Sequence, residues 1–85
     1  MDTSGLTLLG RRGCGLCEEL ARDLRGLGAR FTTVDIDAHE DLMRRFDEAV
    51  PVLMLDGAEI ARAPFTPASL RQALSGAGIA TPSRR

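Results

Sequence analysis

Residues 6–17 have the sequence LTLLGRRGCGLC, and this segment holds the two features that predict the fold. The apolar run at residues 6–9 lies between two glycines and predicts a short buried strand. Over residues 16–27 leucines recur at helical spacing among charged residues, which predicts an amphipathic helix. Cys14 and Cys17 therefore fall where a strand leads into a helix.

The rest of the chain alternates between strand and helix signals. Residues 31–36 are rich in β-branched side chains and predict a second strand. Asp37 is followed three residues later by Glu40, a pattern typical of a helix N-terminus, so we expect a helix from Asp37 to about Phe46. The last predicted elements are a strand at 51–55, a hairpin turn at Asp56-Gly57, a strand at 58–62, and a helix that begins at Thr66-Pro67 and ends near Gly76.

The predicted order is β-α-β-α-β-β-α. Two strands joined through a helix are parallel, whereas a hairpin makes the last two strands antiparallel. The sequence therefore predicts an α/β layer structure with a mixed four-stranded sheet and three helices. We expect one domain over residues 5–77, with loose ends at 1–4 and 78–85.

Composition excludes several classes of protein. The 85 residues include 11 basic and 12 acidic side chains, and this balance argues against a nucleic-acid binder. No segment approaches the run of about 18 apolar residues that a membrane span needs, and the polar start differs from a secretory signal. Two cysteines are too few for a disulfide scaffold or a four-thiolate zinc site. We therefore expect a cytoplasmic monomer with no bound metal.

The position of Cys14 suits a reactive thiol. At a helix start, unpaired backbone N–H groups and the positive end of the helix dipole both favour the thiolate, the form that attacks disulfides. Arg11 and Arg12 add positive charge just upstream. Glu18 and Glu19 act in the opposite direction, and the sequence does not weigh the two effects.

Cys17 lies one helical turn after Cys14, close enough for a disulfide. We expect it to be the less exposed sulfur, because Leu16 and Leu20 are expected to turn towards the core. A Cys14 thiolate would attack a substrate disulfide, and Cys17 would then resolve the mixed disulfide without a metal or prosthetic group. Two alternatives remain: a buried pair with no redox role, or a zinc site, which would need ligands beyond His39 and scattered carboxylates.

Four segments in this order carry a resemblance to a known family: Leu6-Thr7-Leu8-Leu9, Cys14-Gly15-Leu16-Cys17, Val34-Asp35-Ile36-Asp37 and Val50-Pro51-Val52-Leu53. Together they resemble the glutaredoxin branch of the thioredoxin fold, and more narrowly the short glutaredoxin-like proteins of bacteria. The resemblance extends from Leu6 to Gly76, nearly the whole chain.

This resemblance implies a thioredoxin-like fold and specific roles. Cys14 would be the nucleophile and Cys17 the resolving thiol. Pro51 would be the cis-proline that faces the cysteines, although sequence statistics alone favour a trans proline at the start of a strand. Val50 would offer its backbone to an incoming peptide or to glutathione.

The chain also departs from glutaredoxins that use glutathione. Those proteins generally carry Pro-Tyr or a similar pair between the cysteines, where this chain has Gly15-Leu16. They also have a Gly-Gly pair followed by an acidic residue at the start of the last helix, and residues 61–67 of this chain have neither. Arg11 or Arg12 would hold one glutathione carboxylate and the N-terminus of the last helix the other. The alternative for both arginines is plain solvation.

The sequence thus predicts a dithiol–disulfide oxidoreductase of cell redox homeostasis that acts on a disulfide-containing protein or a low-molecular-weight thiol. No cofactor is expected to be bound, and glutathione would be a co-substrate. Two alternatives use the same fold: a non-catalytic binding module, and an iron–sulfur carrier bridged by glutathione.

Overall fold

Strands and helices follow the predicted order in a computed structural model, which describes residues 5–78. The strands are β1 (Leu6–Gly10), β2 (Thr32–Asp35), β3 (Val52–Leu55) and β4 (Ala58–Arg62). The helices are α1 (Gly15–Gly26), α2 (Glu40–Phe46) and α3 (Pro67–Gly76), and a short 3-10 helix (Ile36–Ala38) precedes α2. Apart from Gly78, the predicted loose ends lie outside the described residues. Within residues 5–78 no helix is long and apolar enough to cross a membrane.

The four strands form one mixed sheet in the order β2-β1-β3-β4. β1 pairs with β2 in parallel and with β3 antiparallel, and β3 and β4 form an antiparallel hairpin. The predicted fold class is confirmed. β1 and β3 are the two central strands, and they are antiparallel neighbours. The segment that follows β1 and the segment that precedes β3 therefore meet at the same edge of the sheet.

Helices cover both faces of this sheet. Alternate side chains of a strand point to opposite faces, so Leu8 and Leu53 pack with α1 and α3, whereas Leu9 and Val52 pack with α2. All four are almost completely buried. This two-sided burial explains why β3 is a continuous apolar run, and why β1 has leucines on both of its faces rather than on alternate positions only.

The hairpin and the last helix begin where their local signals predict. Asp56 (φ 51°) and Gly57 (φ 87°) both have the left-handed backbone that a tight two-residue hairpin turn requires. At the start of α3, the Thr66 hydroxyl accepts a hydrogen bond from the Ser69 N–H at 3.0 Å, and the Ser69 hydroxyl accepts one from the Thr66 N–H at 2.9 Å. This reciprocal cap fixes the first turn of α3.

The start of the second helix was predicted wrongly. Asp37 lies inside the 3-10 helix, and α2 begins at Glu40 with His39 at the N-cap position and no side-chain cap. The reason is a competing interaction, because the Asp35 carboxylate accepts a hydrogen bond from the Asp37 N–H at 2.9 Å and closes a tighter turn first. Ile36 is completely buried within that turn.

Candidate active site

Cys14 occupies the N-cap position of α1. Its backbone is extended, and its sulfur accepts a hydrogen bond from the backbone N–H of Cys17 at 3.1 Å. Gly13 before it has φ 72°, a conformation that glycine adopts without steric cost and that turns the chain from β1 into the helix. An N–H directed at the sulfur and the positive helix terminus both favour a thiolate when Cys14 is reduced.

Cys17 is bonded to Cys14 and is the more deeply placed sulfur. The pair forms a disulfide with the two Cα atoms 5.2 Å apart. Cys17 is 7% exposed, whereas Cys14 is half-buried. A substrate disulfide therefore reaches Cys14 more readily than Cys17.

Cys17 was expected to be less exposed than Cys14 because Leu16 and Leu20 would both turn towards the core. This reason was partly wrong, because Leu20 is buried but Leu16 is 55% exposed. The buried positions of α1 are Cys17, Leu20, Ala21 and Leu24, which follow the three- and four-residue spacing of one helical face. Leu16 is rotated by about 100° from Cys17 around the helix axis and falls outside this face. It is the large apolar side chain that the described part of the chain leaves exposed, and it lies between the two cysteines in sequence.

Arg11 binds two carboxylates of the chain itself. Its Nη2 lies 2.7 Å from Asp37 Oδ1 and 2.8 Å from Asp47 Oδ1, and its Nη1 donates to the Asp47 carbonyl at 3.0 Å. The hydrogen bond to Asp37, followed by that to Asp47, raises the pKa of Arg11. The guanidinium thus links the loop before Cys14 to the 3-10 helix and to the end of α2, and its single positive charge already faces two carboxylates.

Arg12 is in a different state. It is exposed, and within residues 5–78 it forms no ion pair. It lines a groove of about 450 Å³ beside α1, together with Arg11 and the buried Cys17. Of the two arginines predicted to bind an anionic partner, Arg12 is the one with a guanidinium still available.

Pro51 lies at the same edge of the sheet as the cysteines. The Val50–Pro51 peptide bond is cis, as the resemblance implied. Leu9 pairs with Val52 in antiparallel register. The residue after Leu9, which is Gly10 at the end of β1, therefore lies opposite the residue before Val52, which is Pro51. The strand register therefore places Val50 and Pro51 beside the segment that leads into Cys14, while their predicted binding role stays a prediction.

Comparison of the sequence with known protein families supports the same fold. The sequence profile described as Glutaredoxin-like domain (DUF836) matches residues 5–75, which is most of the chain. The chain belongs to the glutaredoxin-like family. Its resemblance to thioredoxin-fold proteins, inferred above from four short segments, is confirmed.

Solved structures support the same assignment. The glutaredoxin-like chain is 34% identical to a structural-genomics target protein from X. campestris, with 84% of this chain and 96% of that one covered and a TM-score of 0.75. A protein from Nitrosomonas europaea is 28% identical, with 94% and 95% covered and a TM-score of 0.74. A buckwheat glutaredoxin in complex with glutathione is 22% identical, with 87% and 70% covered and a TM-score of 0.57, which shows the fold alone. No curated protein matches the sequence.

The segment before α3 has features that the sequence did not reveal. The Ala63–Pro64 bond is also cis, and the Ala63 N–H donates to the Pro51 carbonyl at 3.0 Å, which ties this loop to the cis-proline. At the helix start, Ser69 and Leu70 already donate their N–H groups to Thr66, and proline has none to donate. The N-terminus of α3 therefore has few free donors for a ligand carboxylate.

The zinc site that the sequence left as an alternative would need several ligands close together. Across residues 5–78 there is no group of three or more His, Cys, Asp or Glu side chains arranged to hold a metal ion. The partners of Arg11 were missed because Asp37 and Asp47 are 26 and 36 residues away along the chain, and no local pattern connects them.

Proposed function

We propose that this glutaredoxin-like protein is a thiol–disulfide oxidoreductase in which Cys14 attacks and Cys17 resolves. The observation that carries the proposal is the unequal placement of the two sulfurs. Cys14 is the more exposed of the two and accepts an N–H at the start of α1, whereas Cys17 is buried within bonding distance of it. Such an arrangement favours one attacking thiolate and one internal resolving thiol.

The first step is attack by the Cys14 thiolate on a substrate disulfide. A bond forms between Cys14 and one substrate sulfur, the substrate's S–S bond breaks, and the departing thiolate takes a proton from solvent. The Cys17 N–H that bonds to the Cys14 sulfur stabilises the attacking thiolate before this step.

The second step releases the substrate. Cys17 loses its proton and attacks the sulfur of Cys14, the Cys14–substrate bond breaks, and the second substrate thiolate is protonated. Two electrons pass from the dithiol to the substrate, and the protein is left with the Cys14–Cys17 disulfide seen in the structure.

We assign a disulfide-containing protein as the main substrate. Exposed Leu16 offers an apolar contact beside Cys14, and Val50, next to Pro51, would offer its backbone to an extended peptide. Two groups expected to hold the carboxylates of glutathione, Arg11 and the start of α3, are largely occupied by internal partners. Glutathione would then bind chiefly through Arg12, as a co-substrate that regenerates the dithiol.

The test compares single cysteine variants in a disulfide-reduction assay with a small chromogenic disulfide and with a protein disulfide. We expect Cys14→Ser to lose activity on both, and Cys17→Ser to accumulate mixed disulfides that mass spectrometry assigns to Cys14. We also expect Cys14 to alkylate faster at neutral pH than a free thiol. Activity retained by Cys14→Ser would contradict the proposal, and a pair inert towards both substrates would favour a non-catalytic binding module.

A further inference from the structure

Gly10 packs directly against the sulfur of Cys17. A Cβ atom placed on Gly10 would lie 3.0 Å from Cys17 Sγ, 3.2 Å from Cys17 Cβ and 3.3 Å from a methyl carbon of Leu8. Ordinary contacts between nonbonded carbon atoms are about 3.5–4.0 Å. A side chain at position 10 would therefore require the Cys17 or Leu8 side chain, or the local backbone, to shift by a few tenths of an ångström.

The surrounding structure restrains a backbone shift at Gly10. Gly10 is the last residue of β1 and pairs with Asp35 of β2, and the residue before it, Leu9, pairs with Val52 of β3. On the opposite side, α1 is anchored by Leu20 and Leu24, which are 1% and 0% exposed. Once Cys17 is no longer bonded to Cys14, its sulfur can move by rotation about the Cα–Cβ bond, so it can yield to an added methyl group.

We propose that Gly10 is a positioning residue that holds the Cys17 sulfur in line with Cys14 for the resolving step. This inference rests on the proposed function, since it assigns a cause to the second of its two steps. A methyl group at position 10 would displace Sγ by a few tenths of an ångström. It would leave the sulfur of the more exposed Cys14 free to make the first attack.

The test separates the two steps in Gly10→Ala. In a Cys17→Ser background, the rate at which Cys14 attacks a small disulfide should stay within about twofold of the value without Gly10→Ala. With Cys17 present, we expect the preformed mixed disulfide to resolve about tenfold more slowly, since small misplacements of reacting atoms are costly. Gly26→Ala is the matched control, because a Cβ there contacts nothing within 4 Å and α1 ends at that residue.

A thermodynamic readout covers the case in which Gly10→Ala folds poorly. In a double-mutant cycle on the reduced protein, Gly10→Ala should lose less unfolding free energy in a Cys17→Ala background than with Cys17 present, because the shortest contact, with the sulfur, is gone while those with Cβ of residue 17 and with Leu8 remain. Equal losses in both backgrounds, or resolution by folded Gly10→Ala at the unmodified rate, would overturn the role of Gly10. If the unsubstituted protein exchanges no disulfide at all, the proposed function fails instead, and the cycle still reports whether the contact exists.

Discussion

Cys14 and Cys17 have the same chemistry in isolation and differ only in what their sulfurs contact. The Cys14 sulfur accepts an N–H at the start of α1, and the Cys17 sulfur, on the buried face of α1, lies beside Gly10 at the end of β1. The position of Cys14 could be predicted, because a helix start is visible in the sequence. The contact between Cys17 and Gly10 could not, because it depends on how closely the helix packs on the strand.

Arg11 and Arg12 are adjacent in sequence, but the structure gives them different partners. We expect Arg11→Gln to lower the Tm by several degrees, because Asp37 and Asp47 would then lie near each other without a cation between them. Arg12→Gln should leave the Tm unchanged, since it breaks no ion pair in the described part of the chain. Thermal unfolding at neutral pH measures both, and equal Tm values for the two variants would contradict the assignment.

Glu59 makes the stability of the folded protein depend slightly on pH in the acid range. Hydrogen bonds from Arg62, one at 2.7 Å, lower the pKa of Glu59 below its ordinary value of 4.5. A carboxyl group with a lowered pKa in the folded state stabilises the protein above the pKa of the unfolded chain, and this contribution is lost as the pH falls through the folded value. The pair is partly exposed, so the effect is modest.

We therefore expect Glu59→Gln to have a Tm lower by a few degrees at most at neutral pH. The difference from the unsubstituted protein should shrink as the pH falls below about 4.5. Thermal unfolding between neutral pH and about pH 3 measures this convergence. A difference that grows in acid would show that the sign is wrong.

At the scale of single elements, the sequence predicted the turns and helix starts that depend only on residues close together in the chain. The hairpin at Asp56-Gly57 and the cap at Thr66-Pro67 formed where predicted, because each is determined by residues that are neighbours in sequence. The second helix began two residues later than predicted, with His39 rather than Asp37 at the N-cap position, because Asp35 and Asp37 formed a tighter turn first. Sequence alone does not rank two overlapping capping patterns.

The hairpin offers a test of its own. Gly57→Ala should destabilise the protein by about 1 kcal/mol, because a side chain at φ 87° is strained even though nothing lies within 4 Å of the new Cβ. Gly76→Ala adds the same methyl group in open space without a positive φ and should cost much less. Chemical denaturation of the two variants measures the difference, and equal stabilities would show that the turn relaxes.

At the scale of the whole molecule, the number and type of elements could be predicted, but several long-range contacts could not. The cis bond before Pro51 was predicted from the family resemblance. The register of β3 on β1 explains why Pro51 lies beside the segment that contains the cysteines. The link from Arg11 to Asp37 and Asp47, and the contact between the loop of Ala63 and Pro51, depend on packing across the sheet edge. No local pattern encodes them.

The buried side chains of β3, one of the two central strands, contribute much of the stability of the domain. Leu53 is completely buried and packs with side chains of α1 and α3, so Leu53→Ala should cost about 2–5 kcal/mol. That loss is a large share of the total stability of about 5–15 kcal/mol that is usual for a domain. Leu16→Ala makes the same change at an exposed site and should stay within about 0.5 kcal/mol. Urea unfolding distinguishes the two, and similar losses would contradict the assigned core.

The central claim is that Cys14 and Cys17 cycle between a dithiol and an intramolecular disulfide. Equilibrating the protein in glutathione redox buffers, blocking free thiols and identifying the products by mass spectrometry tests this most directly. We expect a single two-electron transition from two blocked thiols to the Cys14–Cys17 disulfide, with a midpoint between about −270 and −120 mV. Two cysteines that stay free across the whole range, or a stable glutathione adduct on Cys17 with no intramolecular disulfide, would contradict the account.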